Sequence, residues 1–293
     1  MNLTRRLVAI GVAAAALFPP PAAAASSPMP GPPAAKPMRI LSMNMCTDLL
    51  LLQLVPRARI AAVTYLAHDS AQVLFPGADT GLAINHGTPE DIINLKPDLI
   101  LAGDFSTALT RSLARRVGAR VVEVKSATTF DDIRTNLRQL GAEVGEPARA
   151  EALVRRMDTT LADLAATAPR RPTSVVVWSG GTTVPGRDTL TDAIVTAAGA
   201  RNVAAVPGPA DSSFGVEELL AARPDALLYG GTRPGVRALT TDEGHHRAVR
   251  RLYAGRRIAF NGIVHSCGLP QSADGARDLR RALQALPPGG PSS

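Results

Sequence analysis

Two distant stretches of the chain repeat one pattern of residue types. Residues 89–103 read PEDIINLKPDLILAG, and residues 217–228 read EELLAARPDALL. In both, a glutamate stands seven positions before the proline of a Pro-Asp pair, Glu90 before Pro97 and Glu217 before Pro224. The acidic start and apolar run predict a short helix, and the residues after Pro-Asp predict a buried strand. A chain that carries this unit twice is expected to contain two related lobes.

The residues before each unit strengthen that expectation. TDLLLLQLVPRARIAAV begins at Thr47 and TDAIVTAAGARNVAAV begins at Thr191, and each predicts a helix followed by a strand. Thr47 is the expected N-cap of the first of these helices. Strands that alternate with helices at this spacing indicate parallel sheets covered by helices. Both halves then share one order: strand, Thr-Asp helix, strand, short acidic helix and Pro-Asp strand.

One long helical pattern separates the two halves. Residues 146–169 read EPARAEALVRRMDTTLADLAATAP, in which Pro147 suits the first helical position and Pro169 ends the helix. One face of this helix carries Leu153, Met157, Leu161 and Leu164. At 1.5 Å per residue, the helix would be about 33 Å long. The predicted fold is therefore α/β, with two Rossmann-like lobes built on parallel sheets and joined by a single long α-helix.

The N-terminal segment has the layout of a secretory signal peptide. Arg5 and Arg6 precede an apolar run from Leu7 to Phe18, and small residues follow. The run is too short to span a bilayer. We expect an exported, periplasmic protein and leave the export route, general or twin-arginine, open. The expected division is a signal peptide at 1–25, a Pro-rich lead-in at 26–37, an N-terminal lobe at 38–144, a connecting helix at 145–169, a C-terminal lobe at 170–286 and a tail at 287–293.

The net charge of +7 raises the question of an anionic partner. The basic residues are scattered over predicted helices, without a dense run and without interleaved aromatic side chains. That distribution argues against a nucleic-acid partner.

Three stretches in order around the long helix carry a family resemblance: RILSMNMCTDLLLLQL, GTPEDIINLKPDLILAG and VEELLAARPDALL. Over about residues 38–286, the chain resembles the periplasmic substrate-binding proteins of ABC importers for cobalamin, ferric siderophores and haem. The resemblance implies a monomer without a cofactor, which captures a small-molecule metal chelate between its lobes. It also implies delivery to a membrane permease and its ATPase, and lobes that close only slightly because the long helix resists hinge motion.

The resemblance further implies that one glutamate on each lobe docks onto arginines of the permease. Glu90 and Glu217 match those two positions. Acidic residues at a helix start also stabilise the helix dipole, and that is the role expected for Asp91 and Glu218.

The ligand would lie at the carboxyl ends of the strands, where open parallel sheets bind ligands. The loops that follow strands carry the unusual side chains of the chain. The candidate ligand contacts are Asn44, Cys46, Tyr65, His86 and Phe105 from the first half and Trp178, His265 and Cys267 from the second. Tyr65, Phe105 and Trp178 could stack on a planar macrocycle, and each is also a plausible packing residue.

Three interpretations of Cys46 and Cys267 remain open at this point. They could form a disulfide between the lobes, since an oxidising compartment permits one. They could be soft ligands for a metal or a metal chelate, assisted by His265 or His86. They could also be independent small core residues, which is the commonest role of cysteine and the one we favour. The sequence leaves the identity of any metal unknown.

An enzyme is not expected. The chain contains no GxGxxG, GxxxxGK[ST], GxSxG or HExxH motif. The alternative is an exported α/β enzyme with a Cys/His site built on Cys46 or Cys267, for which no third, orienting partner is identifiable.

Overall fold

The first lobe is built on a five-stranded parallel sheet with the order β3-β2-β1-β4-β5. The structure is a computed structural model, and it describes residues 35–104, 112, 116, 118–178, 183–206, 211–229 and 247–288. The strands are β1 (Ile40–Ser42), β2 (Ile60–Thr64), β3 (Ile84–Asn85), β4 (Leu99–Gly103) and β5 (Arg120–Val124). The helices are α1 (Met45–Leu54), α2 (Ala67–Leu74), α3 (Pro89–Leu95) and α4 (Phe130–Glu143), with a short 3₁₀ turn at Arg57–Arg59.

The second lobe contains a four-stranded parallel sheet with the order β11-β10-β6-β8. Its strands are β6 (Thr173–Val177), β8 (Ala200–Asn202), β10 (Ala226–Tyr229) and β11 (Arg257–Ala259). A separate antiparallel pair is formed by β7 (Thr183–Pro185) and β9 (Asp211–Ser213). The helices are α6 (Leu190–Ala197), α7 (Val216–Ala222), α8 (Arg247–Leu252), α9 (Gly262–Ser266) and α10 (Gln271–Gln284).

The two sheets share one topology. The order β2-β1-β4-β5 in the first lobe corresponds to β8-β6-β10-β11 in the second, with equivalent helices between the strands. The prediction of two related α/β lobes with parallel sheets is confirmed. The predicted N-cap of α1 is wrong, because the Asn44 side chain accepts from the backbone N–H of Cys46 at 2.9 Å and begins the helix at Met45.

The repeated unit has the same backbone geometry in both lobes. The short helix α3 ends at Lys96, and α7 ends at Arg223; both residues adopt φ 42°, in the left-handed region. A left-handed residue terminates a helix, and the proline that follows cannot continue one. This is why the chain turns at the same point in each unit and enters β4 or β10.

The aspartate of each Pro-Asp pair ties two neighbouring strands together. Asp98, just before β4, accepts hydrogen bonds from the backbone N–H groups at the start of β1, including that of Arg39 at 3.0 Å. Asp225, just before β10, accepts from the backbone N–H of Ser174 at 2.8 Å and from its hydroxyl at 2.7 Å. The Pro-Asp pair therefore links β1 to β4 in the first lobe and β6 to β10 in the second.

The connecting helix α5 spans Pro147–Ala166. It ends before the predicted stop at Pro169. Met157 and Leu164 are buried as expected, whereas Leu153 and Leu161 are only half-buried and pack against the rim of the core.

One hydrophobic cluster contains residues from both lobes and from the connecting helix. Its members include Leu50 and Ile133 from the first lobe, Val154 from α5, and Ile194 and Ile263 from the second lobe. The described residues from Lys36 onward belong to one compact unit. The lobes thus share a core, which opposes large independent motion of the two sheets. The division into residues 38–144, 145–169 and 170–286 stays a prediction.

Candidate ligand-binding site

A disulfide joins the two lobes at the carboxyl ends of their sheets. Cys46 follows β1 in the first turn of α1, and Cys267 follows β11 at the end of α9. Their Cα atoms are 5.1 Å apart although 221 positions separate them in sequence. Our favoured interpretation of two independent cysteines is therefore wrong. Metal ligation is not possible in this state either, because both sulfur atoms are bonded to each other and neither is a thiolate.

The disulfide also excludes the cysteine nucleophile that the alternative enzyme hypothesis requires. A Cys/His site needs a thiolate on Cys46 or Cys267, and the structure has no free cysteine. Within the described ranges, no three His, Cys, Asp or Glu side chains are grouped so as to hold a metal ion.

A small cavity lies beside the disulfide. Its volume is about 80 Å³, and both lobes line it. The lining includes Asn44, Gly103, Asp104, Lys125 and Ser126 from the first lobe and Ser266 from the second. A ligand of drug size needs several hundred Å³, so this cavity cannot enclose such a ligand by itself. We call the residues that line it the cleft floor. Lys125 and Ser126 were missed in the sequence, although their position directly after β5 could have indicated them.

The side chains around this floor hold one another in place. A Cβ atom on Gly103 would lie 3.0 Å from the Asn44 amide, so the missing side chain leaves room for that residue. Asp104 accepts a hydrogen bond from the backbone N–H of Ser126 at 2.7 Å. Because the Asn44 oxygen caps α1, its amide nitrogen is the group that is left for a ligand.

Tyr65 and His86 form an aromatic pair at the same edge of the first sheet. Their rings stack with centroids 5.6 Å apart and planes 15° apart. Tyr65 follows β2, His86 follows β3, and both are exposed, Tyr65 by 55%. The backbone N–H of His86 donates to Asp91 at 2.8 Å, which positions the loop that carries the ring. An exposed, preformed stack of two rings can continue onto a flat ligand.

His265 lies in the second lobe and is mostly buried. Its ring stacks on Phe260 with centroids 4.8 Å apart, and its Nδ1 lies 3.2 Å from the hydroxyl oxygen of Thr191. Its Nε2 is buried and has no hydrogen-bond partner among the described residues. Burial lowers the pKa of His265 to about 4, so its imidazole is neutral near pH 7. His265 is therefore held within the second lobe by Phe260 and Thr191, and it is not among the residues that line the cavity beside the disulfide.

Trp178 does not reach the cleft. Its side chain is 2% exposed and packs in a core cluster of the second lobe with Val184 and Tyr253. The indole N–H donates to the backbone oxygen of Phe214 at 3.0 Å. Trp178 is therefore a packing residue, and its predicted role in stacking on a ligand is wrong. Phe105 lies outside the described residues.

Glu90 and Glu217 are exposed in the first turns of α3 and α7. Asp91 and Thr88 form a capping box, in which Asp91 accepts from the backbone N–H of Thr88 and the Thr88 hydroxyl accepts from that of Asp91; at the start of α7, Glu218 accepts from the backbone N–H of Gly215 at 2.8 Å. The hydrogen bond from the His86 backbone is the main cause that lowers the pKa of Asp91, and the bonds from Thr88 add to it. The predicted positions of Asp91 and Glu218 in the first turns of their helices are confirmed, and their role towards the helix dipole stays a prediction.

A larger cavity of about 590 Å³ opens at the opposite edge of the second sheet. Its lining includes Arg171, Arg201 and Arg256, beside the amino ends of the strands. Arg256 donates to the backbone oxygens of Asp225 and Pro287. We do not place the ligand here, since parallel sheets bind ligands at the carboxyl ends of their strands.

Two parallel-sheet lobes joined by one long helix, with a small cavity between the carboxyl edges of the sheets and an exposed aromatic pair on the first lobe, define a two-lobed binding protein. A family model described as periplasmic binding protein matches residues 51–246. The chain belongs to this family. Among the described residues, no helix has both the length and the apolar character needed to cross a membrane.

A curated relative is the cobalamin-binding protein of Halobacterium salinarum, 25% identical over 206 residues. The match covers 67% of this chain and 54% of the relative, so the chain spans about half the length of that protein. Two solved structures share the fold. The periplasmic haem-binding protein HutB of Vibrio cholerae has a TM-score of 0.69 at 20% identity, with 84% of this chain and 98% of that one covered. A protein of an ABC-type Fe³⁺-hydroxamate transport system from Saccharomonospora viridis has a TM-score of 0.62 at 21% identity, with 85% and 94% covered.

Proposed function

We propose that this protein captures a metal chelate outside the cytoplasmic membrane and delivers it to the permease and ATPase of an ABC importer. The chelate is a cobalamin, a ferric siderophore or a haem. The fold supports this proposal, as do the ligands named for the proteins that this chain resembles. Capture is non-covalent, the protein acts as a monomer, and the signal peptide at residues 1–25 directs its export.

The exposed stack of Tyr65 and His86 is the observation that carries the proposal. Two rings whose centroids lie 5.6 Å apart present a flat face at the carboxyl edge of the first sheet, and Lys125 and Ser126 follow β5 at the same edge, on the other side of β1 and β4. Chelates of this class combine a large apolar or aromatic surface with polar or anionic groups at the rim. The aromatic pair would hold the flat part of the chelate, and the polar floor would orient the rim.

The test is a titration of the purified protein with cyanocobalamin, ferrichrome and haemin, followed by absorbance and by the shift in melting temperature. We expect saturable binding of one of the three chelates. Tyr65→Ala and His86→Ala should each weaken it at least about tenfold, because each removes a stacked ring. The control is Met38→Ala, since Met38 is 58% exposed but precedes β1 at the other edge of the sheet. Binding of none of the three would contradict the proposal.

Delivery is tested separately through Glu90 and Glu217. Two carboxylates on separate lobes can bind two cationic sockets and fix the orientation of docking. Glu90→Gln combined with Glu217→Gln should reduce uptake in the host without changing chelate binding. Asp163→Asn combined with Asp278→Asn removes the same charge from exposed sites on α5 and α10 and should leave uptake unchanged.

A further inference from the structure

The two rings of the aromatic pair follow neighbouring strand ends that share one buried polar network. Tyr65 follows Thr64 at the end of β2, and His86 follows Asn85 at the end of β3. We propose that Asp48 and Asn85 are positioning residues, which hold the two rings in their stacked geometry through this network. The consequence for a chelate rests on the proposed function, whereas the consequence for the rings does not.

Asp48 fixes the residue that precedes Tyr65. It lies in the first turn of α1 and is fully buried. One carboxylate oxygen accepts from the backbone N–H of Thr64 at 3.2 Å, and the other accepts from the Thr64 hydroxyl at 2.5 Å. These two bonds hold the backbone and the side chain of Thr64 at once, so the chain leaves β2 towards Tyr65 in one direction.

Asn85 has the equivalent role before His86. It is fully buried, and its side-chain amide donates to the backbone oxygen of Ser42 at 2.9 Å. Ser42 ends β1, and β2 lies between β1 and β3 in the sheet. The amide therefore ties β3 to β1 across β2, which a backbone ladder bond between neighbouring strands cannot do. The backbone oxygen of Asn85 also accepts from the backbone N–H of Tyr65 at 3.2 Å, which joins the two aromatic loops.

Ser42 joins the two parts of the network. Its carbonyl oxygen is the acceptor for Asn85, and its hydroxyl lies 2.7 Å from the hydroxyl of Thr47. Burial raises the pKa of Asp48 to about 6, and a hydrogen bond from Ser42 to the carboxylate counteracts that rise. Ser42, Asp48 and Asn85 are fully buried, so none of them offers a surface to a ligand. The network acts on a ligand only through the residues that it positions.

Neither positioning residue is favourable at a buried position. The raised pKa of Asp48 reflects the hydration that its carboxylate loses on burial. The side-chain oxygen of Asn85 is buried and has no hydrogen-bond partner among the described residues, which also costs free energy. Local rules of stable packing are most often broken at functional sites. Here both exceptions occur in the network that holds the aromatic pair, and stability alone accounts for neither.

The test observes the two rings in the protein without a ligand. The nuclear Overhauser effect between the ring protons of Tyr65 and His86 reports their contact, and Tyr65→Leu or His86→Ala identifies the signal by removing it. Asn85→Leu keeps much of the side-chain volume but removes the bond to Ser42. The signal should then fall by at least about half, because supporting hydrogen bonds hold such groups to within about 0.5 Å. Binding of haemin, cyanocobalamin or ferrichrome, whichever the wild type binds, should weaken at least about fivefold.

Asp48→Asn separates positioning from a merely structural role. The two bonds from Thr64 use different carboxylate oxygens, and asparagine keeps only one of them. The signal between the rings and the affinity for the chelate should therefore both fall. At about pH 7.5 the same variant should be more stable than the wild type in urea, because it buries no charge. A role in stability alone requires a different result, in which the more stable protein keeps its rings in contact and binds as the wild type does.

The matched control is Asn202→Leu. Asn202 is a buried asparagine of β8 in the second lobe, and its amide donates to the backbone oxygen of Pro185 at 3.0 Å. Its loss should lower the stability but leave the signal between the rings unchanged. If Asn85→Leu does not fold, as urea unfolding would reveal, Asp48→Asn decides alone.

The outcomes separate this inference from the proposed function. A full signal between the rings in Asn85→Leu and Asp48→Asn overturns the positioning role, whether or not a chelate binds. If the signal falls in both variants while the wild type binds none of the three chelates, the positioning role stands and the proposed function fails. If the signal falls but the Kd of a bound chelate stays the same, the network positions the rings without an effect on capture, and that part of the inference is wrong.

Discussion

Cys46 and Cys267 link the first turn of α1 to the end of α9, so one covalent bond crosses between the lobes at the floor of the cleft. A hydrogen bond from the side chain of Gln271 to that of Gln53, at 2.7 Å, crosses the same boundary. The two links lie on the same face of α1, one near its start and one near its end. Together they hold α1 of the first lobe against the second lobe.

The first prediction concerns the stability that this disulfide confers. Cys46→Ser combined with Cys267→Ser should lower the free energy of unfolding by up to about 5 kcal/mol, because a loop of more than 200 residues is no longer closed in the unfolded chain. Urea denaturation measures the change. The wild type under reducing conditions should show the same loss. A reduced wild type that unfolds at an unchanged urea concentration would contradict the prediction.

The second prediction follows from Asp48, which is fully buried in α1. Its carboxylate accepts from the backbone N–H of Thr64 at 3.2 Å and from its hydroxyl at 2.5 Å. Burial nevertheless raises the pKa of Asp48 to about 6. The folded state therefore favours the protonated acid. This contribution to stability is present below pH 3.8 and is lost as the pH rises from 3.8 through 6.

Asp48→Asn should consequently stabilise the protein above pH 6, by up to about 3 kcal/mol for a shift of about two pKa units. The gain should shrink as the pH falls towards 4, where the wild-type acid is protonated. Urea unfolding at about pH 4 and pH 7.5 measures both values. Asp163→Asn, at an exposed position on α5, should have no such effect at either pH. A gain in stability that is equal at both pH values would show that burial of the Asp48 charge is not its cause.

The third prediction concerns His265, whose pKa burial lowers to about 4. A lowered histidine pKa means that the folded state binds the proton less tightly than the unfolded state does. The contribution of neutral His265 to stability is fully present above pH 6.5 and is lost as the pH falls from 6.5 through 4. His265→Gln should remove that acid-side loss, which is about 3 kcal/mol for this shift.

Between pH 4 and 6, the contributions of Asp48 and His265 to the free energy of unfolding change in opposite directions with pH. Measurements on the wild type alone therefore do not separate the two contributions. Asp48→Asn should make the acid-side loss of stability steeper, because only the histidine contribution remains. The stability of the double variant Asp48→Asn with His265→Gln should depend less on pH across this interval than that of Asp48→Asn alone. A steep acid-side loss in the double variant would assign the pH dependence to other groups.

Local sequence patterns were sufficient for the fold, because each repeated unit contains its own start and stop signals. Pro-Asp follows the left-handed residue that ends α3 or α7, and the aspartate then clamps the neighbouring strand. The N-cap of α1 was misassigned because Asn44 and Thr47 are both good capping residues, and only the path of the chain after β1 decides between them.

Contacts between distant segments were not predictable in the same way. Cys46 and Cys267 meet only because β1 and β11 end at facing edges of different sheets, and no spacing rule relates positions 221 apart. Trp178 follows a strand, as a cleft residue would, but its ring turns inward and its N–H is bonded to Phe214. The direction of a side chain at a strand end depends on tertiary packing, which the sequence pattern does not specify.

The last prediction concerns Arg280, a buried residue whose guanidinium caps the C-termini of two helices. Its guanidinium donates to the backbone oxygens of Leu164 and Thr167 at the end of α5 and to those of Ala197 and Ala198 at the end of α6. A positive charge at two helix C-termini is favourable, and the same bonds satisfy carbonyl groups that have no partner within their helices. Arg280 thereby fixes the connecting helix to the second lobe.

Arg280→Met keeps much of the side-chain volume but removes these hydrogen bonds and the charge. It should lower the free energy of unfolding by about 3 to 5 kcal/mol, since several inward-facing carbonyls lose their donor. The neighbouring variant Arg281→Met is the control: Arg281 is exposed and makes only an ion pair with Asp278 at 3.3 Å, so the change should be within about 0.5 kcal/mol. Arg280→Lys should lie between the two, because lysine keeps the charge but cannot reach all four oxygens. An Arg280→Met protein as stable as Arg281→Met in urea would show that the second lobe holds the connecting helix by apolar packing alone.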